Sequence, residues 1–205
     1  MRKGGEDMKN LAVIFPGIGY TADKPLLYYA GKLAKAHGYE TVTVTYSAFP
    51  KKVKGDRAKM EESYRIVMNA AEKTLKDLDL SGCGDIVFIG KSIGTVAAAK
   101  FASESPWRER IRLVLYTPLE ETFSYDFGEA VSFTGGADPW VGEEKGRISR
   151  ICEERDIPCM LVTGANHSLE TGDTGRDLAC LCRVMQETEH FLRKAENGGD
   201  RRGRS

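Results

Sequence analysis

No apolar run in this 205-residue chain approaches the roughly 20 residues that a membrane-crossing helix needs. The opening residues Met1-Arg2-Lys3-Gly4-Gly5-Glu6-Asp7 lack the apolar core of a secretory signal. Charge of one sign is missing too. Lys plus Arg number 30 and Asp plus Glu number 30, so no global basic field recruits nucleic acid or an anionic membrane. The five cysteines are an odd number without a C-x-x-C pair. Cys180 and Cys182, two apart on a predicted helix, point to different faces and are badly placed to pair. Reduced thiols are therefore expected, and with them a cytoplasmic protein. No His, Cys, Asp and Glu cluster has metal-ligand spacing, and no G-K-[ST] follows the glycine turn Gly17-Ile18-Gly19. Neither a metal, a phosphate loop nor any other cofactor is predicted, and there is no internal repeat.

What is present is ordinary for a soluble domain: 41% apolar and 29% charged residues, with length enough for one full core. Leu11–Phe15, stopped by Pro16-Gly17, reads as a strand buried on both faces. Pro25 opens a helix that ends before Gly38, and Thr41–Tyr46 is a second strand. A long helix spans about residues 57–80, with Met60, Tyr64, Val67, Met68, Ala71, Leu75 and Leu78 on its apolar face. Ile86–Ile89, Ile111–Tyr116, Ala130–Thr134 and Pro158–Thr163 are four more strands. Helices are read over 95–101, 142–155 and 173–195, and none over 119–129. Residues 1–8 read as a flexible extension, 9–195 as a single domain and 196–205 as a disordered tail. Apolar strands alternating with helices predict a three-layer α/β/α sandwich around a mostly parallel six-stranded sheet.

In such a sheet ligands bind at the carboxyl ends of the strands. The chemistry-bearing residues fall there. Gly90-Lys91-Ser92-Ile93-Gly94 lies between the third strand and an alanine-rich helix, the context that makes G-x-S-x-G a nucleophile elbow. The serine stands on a sharp turn, and the glycines two before and two after let neighbouring elements close in. Lys91 is expected to lay its side chain along the surface. Asp138 follows the fifth strand in Gly135-Gly136-Ala137-Asp138-Pro139-Trp140, and His167 the sixth in Asn166-His167-Ser168. His167 is the one of three histidines that follows a strand, and as a base it would activate the weak serine hydroxyl. Asp138 would orient the imidazole, with Glu120, Glu121 and Asp126 as rival acids. Backbone N–H groups of Ile93 and Ile18 are the expected oxyanion donors. Tyr20, Phe123 and Trp140 adjoin these positions and are candidates for lining a substrate pocket.

With Gly90-x-Ser92-x-Gly94, Gly135-x-x-Asp138-Pro139 and Asn166-His167-Ser168-Leu169, the chain resembles a small α/β-hydrolase of the dienelactone-hydrolase-like kind, over about Leu11 to Leu192. The resemblance implies catalytic roles for Ser92, Asp138 and His167. It departs from larger members in lacking the first two strands and a cap domain, and in carrying Pro16-Gly17 where relatives commonly have His-Gly. The implied activity is hydrolysis of a small ester-like substrate, carboxylic ester or thioester, through an acyl-enzyme. A non-catalytic binding or scaffolding role is the alternative. A small-molecule partner is expected, with a homodimer possible. Without a cap, the site should be a shallow cleft bounded by residues 19–24 and 122–127.

Overall fold

The computed structural model describes residues 8–141 and 146–198. The expected extension over 1–7, the start of the helix expected from Gly142 and the tail beyond Gly198 lie outside the described residues.

Six strands form one sheet: β1 (Lys9–Phe15), β2 (Tyr39–Thr43), β3 (Cys83–Lys91), β4 (Ile111–Tyr116), β5 (Ala130–Gly135) and β6 (Cys159–Val162). Their order is β2-β1-β3-β4-β5-β6 and every pairing is parallel, sharpening the expectation of a mostly parallel sheet. Strand side chains alternate between faces, and both faces are apolar. Leu11, Val13, Phe15, Ile86, Phe88, Leu113 and Leu115 pack under α2 (Arg57–Lys76) and α3 (Ile93–Glu104). Ala12, Ile14, Val87, Ile89, Val114 and Phe133 pack under α1 (Pro25–Ala36) and α5 (Thr174–Gly198). A third cluster of Val141, Ile148 and Cys152 seats α4 (Arg147–Glu154). Each fully buried Val, Leu, Ile or Phe contributes about 1.5–3 kcal/mol, so burial on both faces of the sheet is a large stabilising contribution.

Boundaries differ from the sequence expectation where local geometry decides. Gly38 takes a left-handed conformation (φ 79°), so β2 starts at once at Tyr39 and ends by Thr43. Helix α2 stops at Lys76 and is opened by Asp56, whose carboxylate accepts the Lys59 N–H. Helix α5 runs through Gly198, into the segment read as a tail. The β4–β5 connection holds only a 3-10 turn, Glu120–Ser124, as a chain too short for a cap requires. All five cysteines are free thiols.

Candidate active site

Strand β3 delivers Lys91 to the carboxyl edge, and Ser92 turns the chain into α3 with φ 56° and ψ −126°. That backbone is unfavourable for any residue with a side chain and persists only where the surroundings hold it. Packing holds it here. A Cβ on Gly94 would meet the Phe15 carbonyl oxygen at 2.1 Å, and one on Gly90 would meet Thr95 Cα at 2.7 Å. Helix α3 is locked to the sheet by Ala97, Ala98, Ala99 and Ala102, all fully buried. Thr95 Oγ1 donates to the Ser92 carbonyl (2.6 Å) and sits 2.7 Å from Thr122 Oγ1, pinning the turn from below.

Three loops converge on Ser92. His167 Nε2 lies 2.8 Å from Ser92 Oγ, and His167 Nδ1 lies 2.7 Å from Asp138 Oδ2. The other Asp138 oxygen accepts the Trp140 N–H at 2.9 Å. The Asp138 side chain is wholly enclosed, whereas Ser92 is half-buried and the imidazole keeps a solvent-facing edge. Asp138 fixes the tautomer: its carboxylate accepts from Nδ1–H, which leaves Nε2 bare to accept the Ser92 hydroxyl proton. The histidine loop is held by Thr117 Oγ1, which donates to the His167 carbonyl at 3.0 Å, and by Asn166, whose side chain accepts the Ser168 and Glu170 N–H groups. Burial pushes the imidazole below the ordinary histidine value. The Asp138 hydrogen bond works against that, and the positive charges of Lys91 and Lys54 add to it. The ring is therefore neutral at neutral pH, the form that accepts a proton.

The rival acids are engaged elsewhere. Glu120 pairs with Arg147 (2.7 Å) and Asp126 with Arg108 (2.7 Å), while Glu121 borders a groove beside α2. At the first turn, the Gly17 N–H is taken by the Tyr20 carbonyl (3.1 Å). Among the described residues the Ile18 N–H has no backbone partner, and the Ile93 N–H belongs to the open first turn of α3. Of the three aromatic candidates, Trp140 reaches the array, its ring 5.6 Å from the imidazole centroid. Tyr20 borders a groove with Ser168 and Leu169, and its oxygen accepts the Leu26 N–H. Phe123 packs on Phe127 and on the cluster that seats α4. Within the 122–127 segment Thr122 is fully buried and joined to Thr95, whereas Ser124 and Asp126 are exposed. Lys54 Nζ lies 5.6 Å from the centroid of the Trp140 ring.

One expectation is overturned outright. Lys91 does not lie along the surface; it is 1% exposed, with Nζ 5.0 Å from the centroid of the Tyr20 ring. Its strand position explains this, because Lys91 shares the face of Val87 and Ile89, which pack under α1 and α5. Sequence patterning also missed Lys54, whose approach to Trp140 is purely tertiary, and Thr117, whose positive φ (41°) no residue type announces. Among the described residues no group of three His, Cys, Asp or Glu could hold a metal ion.

Solved structures share this architecture. A candidate α/β hydrolase of unknown function from Agrobacterium tumefaciens superposes with a TM-score of 0.64 at 17% identity, over 95% of this chain and 89% of that one. The fold is that of the α/β-hydrolases. Est1E from Butyrivibrio proteoclasticus with ferulic acid bound matches at TM-score 0.61 and 15% identity, over 96% of this chain and 93% of that one. An α/β serine hydrolase homologue from Coxiella burnetii matches at 0.55 and 17%, over 90% and 87%. No protein-family model matches the chain, and no curated protein matches it in sequence.

Proposed function

We propose that this α/β-hydrolase-fold protein is a serine hydrolase that cleaves a small ester-like substrate through an acyl-enzyme. The observation that carries the reading is the continuous array Ser92 Oγ, His167 Nε2, His167 Nδ1, Asp138 Oδ2, with contacts of 2.8 and 2.7 Å at the carboxyl edge of the sheet. In the first step His167 Nε2 takes the Ser92 proton while Oγ bonds to the substrate carbonyl carbon. Negative charge develops on the carbonyl oxygen, and the N–H groups of Ile93 and Ile18 are the donors for it. The imidazolium, steadied by Asp138, then gives its proton to the leaving oxygen or sulfur. Water enters, loses a proton to His167 and releases the acid, restoring Ser92. A binding or scaffolding role without turnover would fit an Asp138 carboxylate turned away from His167, and the 2.7 Å contact favours catalysis over it.

A fluorophosphonate probe tests the reading, since it reacts with an activated serine. It is expected to label Ser92 in the folded protein and to spare Ser92→Ala. Absence of labelling, or equal labelling of both, would sink the assignment.

The surroundings support a short-chain substrate. A groove of about 330 Å³ beside Ile93 has Met60, Tyr64, Val96 and Leu119 on its walls and Arg57 at its rim. Short acyl groups fit such an open groove, and among the described residues no cap encloses long ones. This cap-less plan supports the dienelactone-hydrolase-like kind over larger relatives. Across p-nitrophenyl esters from acetate to palmitate, kcat/KM is expected to peak at short acyl chains and then fall. A steady rise towards palmitate would contradict it.

A further inference from the structure

Lys91 is a buried ammonium group next to the nucleophile, and nothing in the hydrolytic steps uses it. Among the described residues its Nζ has no hydrogen bond; it rests 5.0 Å from the centroid of the Tyr20 ring. The groups that face it come from four elements. Tyr20 belongs to the turn after β1, and Tyr116 lies across from it on β4. Asp138 and His167 lie on the loops after β5 and β6, within electrostatic reach: the Asp138 charge favours the ammonium, and the ammonium disfavours imidazolium. Glu170 acts on the Tyr20 phenol, and Lys54 on the imidazole. Burial holds both phenols protonated, Tyr20 up to about 12 and Tyr116 higher, so neither changes charge in the neutral range. Burial also lowers Lys91, to about 7.

We propose that Lys91 is a positioning residue that gates the array by its own charge: as ammonium it opposes the imidazolium that His167 must become, and as a neutral amine it lets that imidazolium form beside Asp138. The idea rests on the hydrolase reading, but its physical core, the coupling of two buried bases, does not. Taking the proton from Ser92 places a positive charge on His167. A second positive charge already in the same low-dielectric pocket raises the energy of that state. Loss of the Lys91 proton removes the opposition, and the remaining pair of imidazolium and carboxylate is neutral overall. Two protons must then leave before the site is competent, and they leave as a coupled pair.

The test is a pH titration of the whole chain, followed by the imidazole Hε1 resonance of His167, assigned by its loss in His167→Gln. The wild type is expected to show two inflections, the second near neutral pH from Lys91. In Lys91→Met one inflection remains and moves to higher pH, because the opposing cation is gone. In Lys91→Arg one inflection remains at lower pH, because guanidinium stays charged. Where the protein turns over p-nitrophenyl acetate, the acid limb of kcat/KM is steeper in the wild type than in Lys91→Met. Lys91→Arg is slower than wild type by at least about tenfold above neutral pH and approaches it at acid pH, where both carry the cation. A single inflection in the wild type overturns the proposal whatever the variants do, as do identical His167 midpoints in wild type and Lys91→Met. Absence of fluorophosphonate labelling with a biphasic His167 titration would sink the hydrolase reading and leave the coupling standing.

Discussion

Two buried bases sit on neighbouring strands at opposite ends of the sheet, and they are handled in opposite ways. Arg112 on β4 is 7% exposed, yet every arm of its guanidinium is engaged. Its Nε and Nη2 donate to Asp85 (3.1 and 2.6 Å), Nη1 to the Phe191 carbonyl, and Nη2 also to Tyr39 Oη (3.0 Å). The Tyr39 hydroxyl donates to the same carboxylate, and the guanidinium lies over the Phe191 ring. Burial works against its charge, but Asp85 more than compensates and holds its pKa above the ordinary value. Lys91 on β3 is just as enclosed and has a π face in place of a carboxylate. The difference separates two uses of a buried charge. At the amino-terminal edge the charge is met by a carboxylate, a phenol and two carbonyls, and it ties α5 to the sheet. At the carboxyl edge it is left short of partners beside the reactive serine, where a lowered pKa has chemical consequences.

The contrast can be broken at either end. Asp138→Asn at the reactive end should lower kcat by about 10⁴ through the wrong imidazole tautomer while leaving the far-UV circular dichroism unchanged. Asp85→Asn at the other end should do the reverse: about 3–5 kcal/mol of stability lost in urea titrations, because Arg112 is stranded, with kcat per folded molecule retained. Lys91→Met should have the opposite sign in stability. The folded state lowers the lysine pKa from 10.5 to about 7. Between those values the unfolded chain binds more protons than the native one, so wild-type stability rises with pH across that window. The cost of the buried ammonium is thus fully present below about pH 7 and gone near pH 10.5. The stability gain of Lys91→Met, at most about 5 kcal/mol for a change of that size, should appear at low pH and shrink steadily towards pH 10.5. A pH-independent gain would mean that Lys91 is held by packing alone.

Much of this was legible in the residues themselves. The strands read correctly because a sheet covered on both sides leaves continuous apolar runs such as Leu11–Phe15 and Ile86–Ile89. Ser92, Asp138 and His167 stood out because each follows its own strand, where parallel sheets place ligands. Lys91 was misread because a lysine in a turn usually finds water. Its burial depends on Tyr20 closing over it, a contact between segments some 70 residues apart. The inward packing of Thr122 and Phe123 was hidden in the same way, since a five-residue 3-10 turn leaves no periodicity to read. Elements governed by local pattern could be read, and those decided by distant partners could not.

The ties from Arg112 to the Phe191 and Leu192 carbonyls also fix where the chain leaves the sheet. Because all six strands run the same way, Lys9 enters β1 at the edge where Arg112 sits, and α5 descends from the carboxyl edge to that same margin. Both ends of the folded unit therefore open away from Ser92. A protein fused at either end, or a surface to which either end is tethered, would leave the cleft facing free solution.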